Sequence, residues 1–380
     1  MNKLIIFDAL VVYTETLASS ASSTTSENYP FPIGSRSEAY NNVYGYFLEV
    51  CKRNKLRVAF STSADIEGPG RCKSFWTYQN KKWRKNDISC FSELIFEKFS
   101  PVRKGIKKRR ELLFSSREIV SFNDPELFDL FLDKQKTYDR LYEHAIPTVS
   151  IVGDSIKDVD FACAELNKLV VAHKGIDDFK KQIVMKDRFG AGGRHIYKFK
   201  MGETEKMLRI VNKYKKKSFV IQPFAKFDFG FKLGDRSASA DIRLIFINGE
   251  IVQYYVRMAK VGDFRCNEHQ GGSLTYLKIK DISTKLVEKS KKIAELLDKK
   301  SFYALDFIIS NNGNPYLLEG NAGPGLDWNE SLRKNEREAK KLICIIVSEL
   351  ANKFKEKKMD HEIKYVSDSI KRELEAIVSI

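Results

Sequence analysis

The chain has 380 residues, 43% of them hydrophobic and 31% charged, and a formal net charge of +16. That length exceeds what one compact core organises, so two or three lobes are expected, and the composition excludes a disordered or fibrous chain. No apolar run reaches bilayer-spanning length, so no membrane partner is expected.

The chain opens with Lys3 and an apolar run broken by Asp8 and Glu15, which reads as a buried strand rather than a signal peptide. Residues 3–12 and 56–62 have strand length, and the helical pattern of 37–54 between them predicts a βαβ unit and an N-terminal α/β lobe over 1–123. The Ser/Thr-rich stretch 19–26 predicts an exposed loop. Over 75–110, aromatic and basic residues alternate without a clear period; buried aromatics beneath a wet basic face are expected, with a nucleic-acid surface as the alternative. A second unit starts near Asp124-Pro125, where aspartate caps a helix whose spacing runs to Leu141 and stops before Pro147. Short strands with glycine turns follow, including a hairpin of 241–247 with 250–258 about Asn248-Gly249. A helix over 284–300, strands over 302–309 and 316–319, a helix over 335–357 and a charged amphipathic tail complete the chain. The expected division is 1–123, 124–215, 216–357 and a helical tail, 358–380.

The basic excess favours an anionic partner without choosing one. Its densest blocks, 103–110, 213–217 and 353–358, read individually as solvated faces. Cys51, Cys72, Cys90, Cys163, Cys266 and Cys344 show no paired metal-ligand spacing, which fits reduced thiols and a cytoplasmic setting.

Three groups carry chemistry. Asp306, Glu319 and Asn321 sit on two strands joined by a tight turn, so hairpin pairing would gather two carboxylates and a carboxamide, the hard oxygen set that magnesium takes. A solvent-facing position is the competing reading, but apolar neighbours flank both acids, and an unpaired buried acid is costly. In 182–197 a strand ending at Lys186 enters a loop with Gly190, Gly192 and Gly193 and leaves as a second strand. That is a phosphate flap or a ligand-free glycine hairpin, and neither a Walker A loop nor a dinucleotide fingerprint. Between 241 and 272, Asp241 and Arg243 share a strand face, and Arg257, Arg265 and Asn267 follow. Guanidinium forks suit carboxylates, phosphates and a developing oxyanion, although strand arginines also make plain surface pairs.

In this order the groups resemble the ATP-grasp superfamily, specifically its RimK-like glutamate-ligase branch, over 124–330. Asp133-Lys134 resembles the lysine that opens the central lobe, and Lys186 the lysine before the glycine flap. The stretch 219–224 is similar to the hinge strand, and Asp241-Ile242-Arg243, Phe264-Arg265-Cys266-Asn267 and Gly271-Gly272 match further family patterns. Asp306, Glu319-Gly320-Asn321 and Pro324-Gly325 match the metal signature.

The resemblance implies an α/β ATP-grasp fold in which two sheet-containing lobes clamp ATP. Lys134, Lys186 and the glycines would face phosphates, Gln222 and Phe224 the adenine, and Asp228 the ribose. Asp306, Glu319 and Asn321 would hold magnesium, with manganese as an alternative, while Arg243, Arg257, Arg265 and Asn267 would serve the reacting groups. The implied reaction joins a carboxylate to an amine through an acyl phosphate, releasing ADP and phosphate. The implied substrate is an anionic small molecule, amino acid or peptide; no nucleic-acid partner is expected, and a homo-oligomer is allowed.

Departures from the family pattern are Pro223 in place of an acid, the insertion 227–240, and Glu268 and Gln270. The competing functions are a small-molecule kinase on the same fold and a basic nucleic-acid-binding scaffold with a vestigial nucleotide site.

Overall fold

The computed structural model describes residues 4–24, 28–101, 104–326, 328 and 332–378. Position 3 of the expected first strand, positions 25 and 26 of the expected loop, Arg103 of the first basic block and positions 379 and 380 of the tail lie outside the described residues. Packing divides the chain into two compact units, Met1–Phe122 with Gly325–Ile380, and Asn123–Pro324.

In the first unit the strand expected over 3–12 is two strands, β1 (Ile5–Ile6) and β2 (Ala9–Tyr13), in different sheets. Asp8 lies at the break, where its carboxylate accepts the Arg57 N–H at 2.7 Å. The expected βαβ unit is present: β2, α1 (Tyr40–Arg53) and β3 (Val58–Thr62), with the two strands parallel. Then come β4 (Ile66–Gly68), β5 (Arg71–Cys72), the hairpin β6 (Phe75–Gln79) and β7 (Lys82–Asn86), β8 (Cys90–Phe91), β9 (Leu94–Lys98), α2 (Lys104–Leu113) and β10 (Val120–Ser121). The main sheet runs β10-β9-β2-β3-β6-β7 and the smaller one β1-β8-β5-β4. Phe75, Trp76 and Phe96 are buried, as expected of aromatics packed into a core beneath the basic face of 75–110.

In the second unit Asp124 caps α3 (Pro125–Leu132), accepting the N–H groups of Glu126 and Leu127. The single helix expected as far as Leu141 is interrupted: Asp133 takes an extended conformation and caps a separate helix, α4 (Lys134–Leu141). Strands alone were expected after Pro147, but two helices lie among them. The elements are β11 (Val149–Ile151), α5 (Ile156–Val171), β12 (Phe179–Asp187), β13 (Ile196–Lys200), α6 (Thr204–Lys213) and β14 (Phe219–Ala225). α5 starts at a capping box in which Ser155 and Asp158 exchange hydrogen bonds. Its buried stripe of Val159, Ala162 and Leu166 packs with Met207 and Val211 of α6 against the antiparallel sheet β11-β14-β12-β13.

The insertion after Phe227 folds into the small ribbon β15 (Lys232–Leu233) and β16 (Arg236–Ser237). The larger sheet, β19-β18-β17-β20-β21, is built from β17 (Ala240–Ile247), β18 (Glu250–Met258), β19 (Ser273–Tyr276), β20 (Phe302–Ile309) and β21 (Pro315–Asn321). Asn248 (φ 53°) and Gly249 (φ 85°) make the β17–β18 turn, left-handed at both positions as a tight hairpin requires. One face of this sheet, with Ile242, Leu244, Leu305 and Phe307, is buried together with α7 (Thr284–Leu297), whose Leu286 and Ile293 are fully covered. The chain ends in α8 (Arg333–Val378), one helix running through the position at which a separate tail was expected to begin. No helix among the described residues is long and apolar enough to cross a membrane.

Candidate active site

The face of the large sheet opposite its apolar core carries the polar groups, and register alone collects them. Arg243 is the cross-strand partner of Asp306, Asp306 of Glu319, and Asp241 of Arg257. Cross-strand partners share a face, so Arg243 and Asp306, 63 positions apart in the chain, become neighbours. A bulge between Asp306 and Phe307 lets Glu319 face Asp306 while Leu317 stays in the core, and Asn321 follows Glu319 on the same face.

Arg243 grips Asp306 with both arms, Nε to Oδ1 and Nη2 to Oδ2 at 2.6 Å each. Arg257 bridges the two acids, donating to Asp241 Oδ1 at 2.6 Å and to Asp306 Oδ2 at 2.8 Å. Arg243 also donates to the Tyr255 hydroxyl at 3.3 Å. All four charged groups are buried. Burial alone would raise the Asp306 carboxyl, but the guanidiniums of Arg243 and Arg257 hold it down to about 2. Asp241 has weaker support: burial raises it to about 6 against the pull of Arg257, with the Asp306 charge adding to the rise.

Glu319 stands at the open end of this row, with 29% of its side chain exposed and Lys134 Nζ at 3.9 Å. Lys186, near the end of β12, is buried; burial lowers its ammonium to about 8, with Glu319 opposing and Lys134 reinforcing the drop. Lys134 donates to the Gly190 carbonyl, joining the first turn of α4 to the glycine loop. Behind it Arg188 binds Asp133 through two contacts of 2.7 Å, and Lys134 N–H donates to Arg188 O at 3.2 Å. Asp133 therefore caps a helix, breaks another and anchors the flap.

Between β12 and the larger sheet lies a narrow slot of about 70 Å³ whose walls include Val184, Gln222, Phe224, Phe264 and Asn267. Gln222 donates to Thr148 Oγ1 at 2.8 Å, and the Lys198 ammonium lies over the Phe224 ring, 4.7 Å from its centroid. Gly193 (φ 70°) packs against one of the wall residues: a Cβ there would stand 2.7 Å from Asn267 Oδ1. Arg265, in the slot wall, is held bidentate by Asp263 and lies outside the buried ion network. Asp228 sits apart from these groups, accepting from Asn311 Nδ2 at 3.0 Å.

Register thus brings Arg243, Arg257, Asp306, Glu319 and Asn321 to one face, with Lys134 and Lys186 near Glu319, while Arg265 and Asn267 belong to the slot. Tyr255, Arg188 and Lys198 were not singled out from sequence. Only Tyr255 left a signal, by lying two residues before Arg257 on the same strand face.

A family model described as the RimK-like ATP-grasp domain matches residues 152–346, more than half of the chain. The chain belongs to the RimK-like ATP-grasp family. A relative from Hahella chejuensis named probable alpha-L-glutamate ligase 2 is 27% identical over 220 residues, 57% of this chain and 65% of that one. Another from Maridesulfovibrio salexigens, named probable alpha-L-glutamate ligase, is 35% identical over 91 residues, 24% and 29% of the two chains. This ATP-grasp chain spans less than two thirds of the length of the curated relatives it matches first. Among solved structures it is similar to D-alanyl-alanine synthetase A of Vibrio cholerae, with a TM-score of 0.56 and 13% identity over 92% of this chain and 99% of that one. It also resembles an ATP-grasp RimK domain protein of Sphaerobacter thermophilus, at 0.52 and 11% over 89% and 98%. At such identities the likeness speaks for the α/β ATP-grasp fold alone.

Proposed function

We propose that this chain is an ATP-dependent ligase that joins a carboxylate to an amine and releases ADP and phosphate. The observation that carries the reading is the single sheet face on which Asp306, Glu319 and Asn321 line up, with two lysines of the flap region beside Glu319. Family membership and the names of the relatives point the same way.

The donor set fits magnesium. Among the described residues no group of three or more His, Cys, Asp or Glu could hold a metal ion, so the candidate centre is two carboxylates completed by a carboxamide. Glu319 and Asn321 are partly exposed; Asn321 Oδ1 accepts the Gly323 N–H at 2.9 Å and keeps a second acceptor position. Asp306 already accepts three guanidinium hydrogen bonds, but a carboxylate has about four acceptor positions, so capacity for a ligand remains. Magnesium or manganese held there would screen phosphate charge during transfer. The slot is far below the roughly 300–1,000 Å³ of ligand clefts, so ATP entry would need its walls to part.

In the bound state, Phe224 and Gln222 would flank the base and Asp228 would meet the ribose only after rearrangement. Lys186, Lys134 and the amides of Gly190, Gly192 and Gly193 would lie along the phosphates. The γ-phosphoryl group moves to the substrate carboxylate, giving an acyl phosphate; an amine then attacks and expels phosphate. Arg243 and Arg257, held by Asp306 and Asp241, would keep positive charge beside the oxyanion without reorganising, with Arg265 and Asn267 at the slot mouth. The flap would exclude water, which otherwise hydrolyses the intermediate. The substrate is taken to be an anionic amino acid, small molecule or peptide.

The test is ADP and phosphate release from magnesium ATP across a panel of amino acids and acidic peptides, with Glu319→Ala alongside. Release that depends on one substrate and falls at least a hundredfold in the variant is expected. Hydroxylamine should trap the acyl phosphate; phosphorylation of a hydroxyl without such a product would identify a kinase instead. Nucleic-acid binding with neither nucleotide binding nor turnover would sink both.

A further inference from the structure

β13 is an edge strand: in the order β11-β14-β12-β13 it pairs on one side only. The hydrogen bonds from Asp187 N to His195 O (3.2 Å) and from Met201 N to Lys181 O (3.4 Å) set the phase of its ladder with β12. Odd-numbered residues from 195 to 201 therefore turn their backbone groups toward β12, and Ile196 and Lys198 turn theirs outward. Lys200, the next outward position, is already covered, since its N–H donates to Glu203 Oε2 at 2.8 Å.

Side chains of a strand alternate between faces, so a groove lined by four consecutive residues must follow the edge itself. A groove of about 740 Å³ is lined by Ile196, Tyr197, Lys198 and Phe199, with Lys206 and Arg209 of α6 on one wall and Phe264 and Arg265 on the other. Four cations thus stand around the outward main-chain groups: Arg265 is held by Asp263, Lys206 makes a solvent-facing pair with Glu203, Lys198 lies over the Phe224 and Phe264 rings, and Arg209 completes the helix wall. A free ladder plus complementary side chains is what recognition by strand addition uses.

We infer that the edge of β13 docks an extended acidic peptide segment by strand addition, its carboxylates meeting Lys198, Lys206 and Arg209. Lysines on an edge strand can also serve to repel pairing. Lys206 and Arg209, however, stand on the helix wall and do not guard the edge; they select the charge of the strand that enters. Ile196, Phe264 and Arg265 line both this groove and the slot, so the docked segment would lie next to the bound nucleotide. That last consequence rests on the ligase reading, whereas the docking itself does not.

The experiment titrates the full chain into a fluorescently labelled peptide of alternating glutamate and valine, read by anisotropy at low salt. Binding is expected to be absent for the lysine–valine counterpart and to weaken about tenfold or more in the double variant Lys206→Glu, Arg209→Glu. N-methylation of alternate peptide amides should abolish it. Lys198→Pro removes one outward N–H and leaves the ladder to β12 intact, so it should weaken binding more than Lys198→Ala. Unchanged affinity in the double variant, or full binding by the N-methylated peptide, overturns the inference. Displacement by an oligonucleotide combined with indifference to N-methylation also overturns it, since the groove would then read only charge. Magnesium-ATP turnover on the same samples separates the two readings: turnover without docking refutes the docking alone, and docking without turnover on any substrate counts against the ligase.

Discussion

Two hairpins of the same unit carry the candidate chemistry, and they are built on opposite terms. The β20–β21 hairpin holds Asp306 in a buried row of ion pairs that opens at Glu319, with every strand neighbour set by register and its reverse face in the core. The β12–β13 hairpin ends in a half-buried glycine loop, and its charged contacts, Asp133 to Arg188 and Lys217 to Asp187, lie where β12 enters that loop. One hairpin is rigid because any loosening would strand a charge in a dry site; the other can move because little is buried at its tip.

The largest expected effect comes from breaking the rigid hairpin. Arg257→Ala would take the guanidinium from Asp241 and leave Asp306 with Arg243 alone, and should cost about 3–5 kcal/mol, measured by urea unfolding. Lysine at 257 should not rescue it, because an ammonium cannot bridge both acids in a planar fork.

Next comes the pH dependence at the root of the flap. Burial lowers Lys186 to about 8, so in the folded state it releases its proton before the unfolded chain does near 10.5. The unfolded state then binds more protons across that window, and stability should rise as pH increases from 8 to 10.5, by about 3 kcal/mol relative to Lys186→Met. Below 8 both states are protonated and the burial cost is fully present. An equal pH profile for wild type and variant would refute the shift.

Gly320→Ala tests how closely β21 is packed. A Cβ there would meet the Phe131 ring at 2.1 Å, and overpacking of this kind should cost about 1–3 kcal/mol by thermal unfolding. The smallest effect belongs to the base of the flap, where Lys217→Ala removes a partly exposed pair with Asp187 and should cost under about 1 kcal/mol while raising the KM for ATP. A stability loss comparable to that of Arg257→Ala would erase the distinction between the hairpins.

The hairpins were readable in sequence because each is a local pattern. Asn248-Gly249 between apolar runs, and Asp306 to Glu319 across a short turn, specify pairing with few residues between the partners. α5 departs from the strands expected after Pro147 although Ser155 and Asp158 form a capping box ahead of its apolar stripe; short apolar runs by themselves do not separate a buried strand from a helix. The break at Asp133 was hidden for another reason: an aspartate within a helical pattern does not announce a cap unless something, here Arg188, holds its carboxylate.

By itself the sequence determined which groups exist, their order along the chain and the face each occupies, since strand and helix periods and turn chemistry are local. Tertiary structure decided the partners: that Asp306 is shared by two arginines, that Asp133 anchors the flap, and that one edge of β13 stays open beside a basic helix wall. Those choices depend on register between segments far apart in the chain, and alternation along a strand carries no information about which strand will lie beside it.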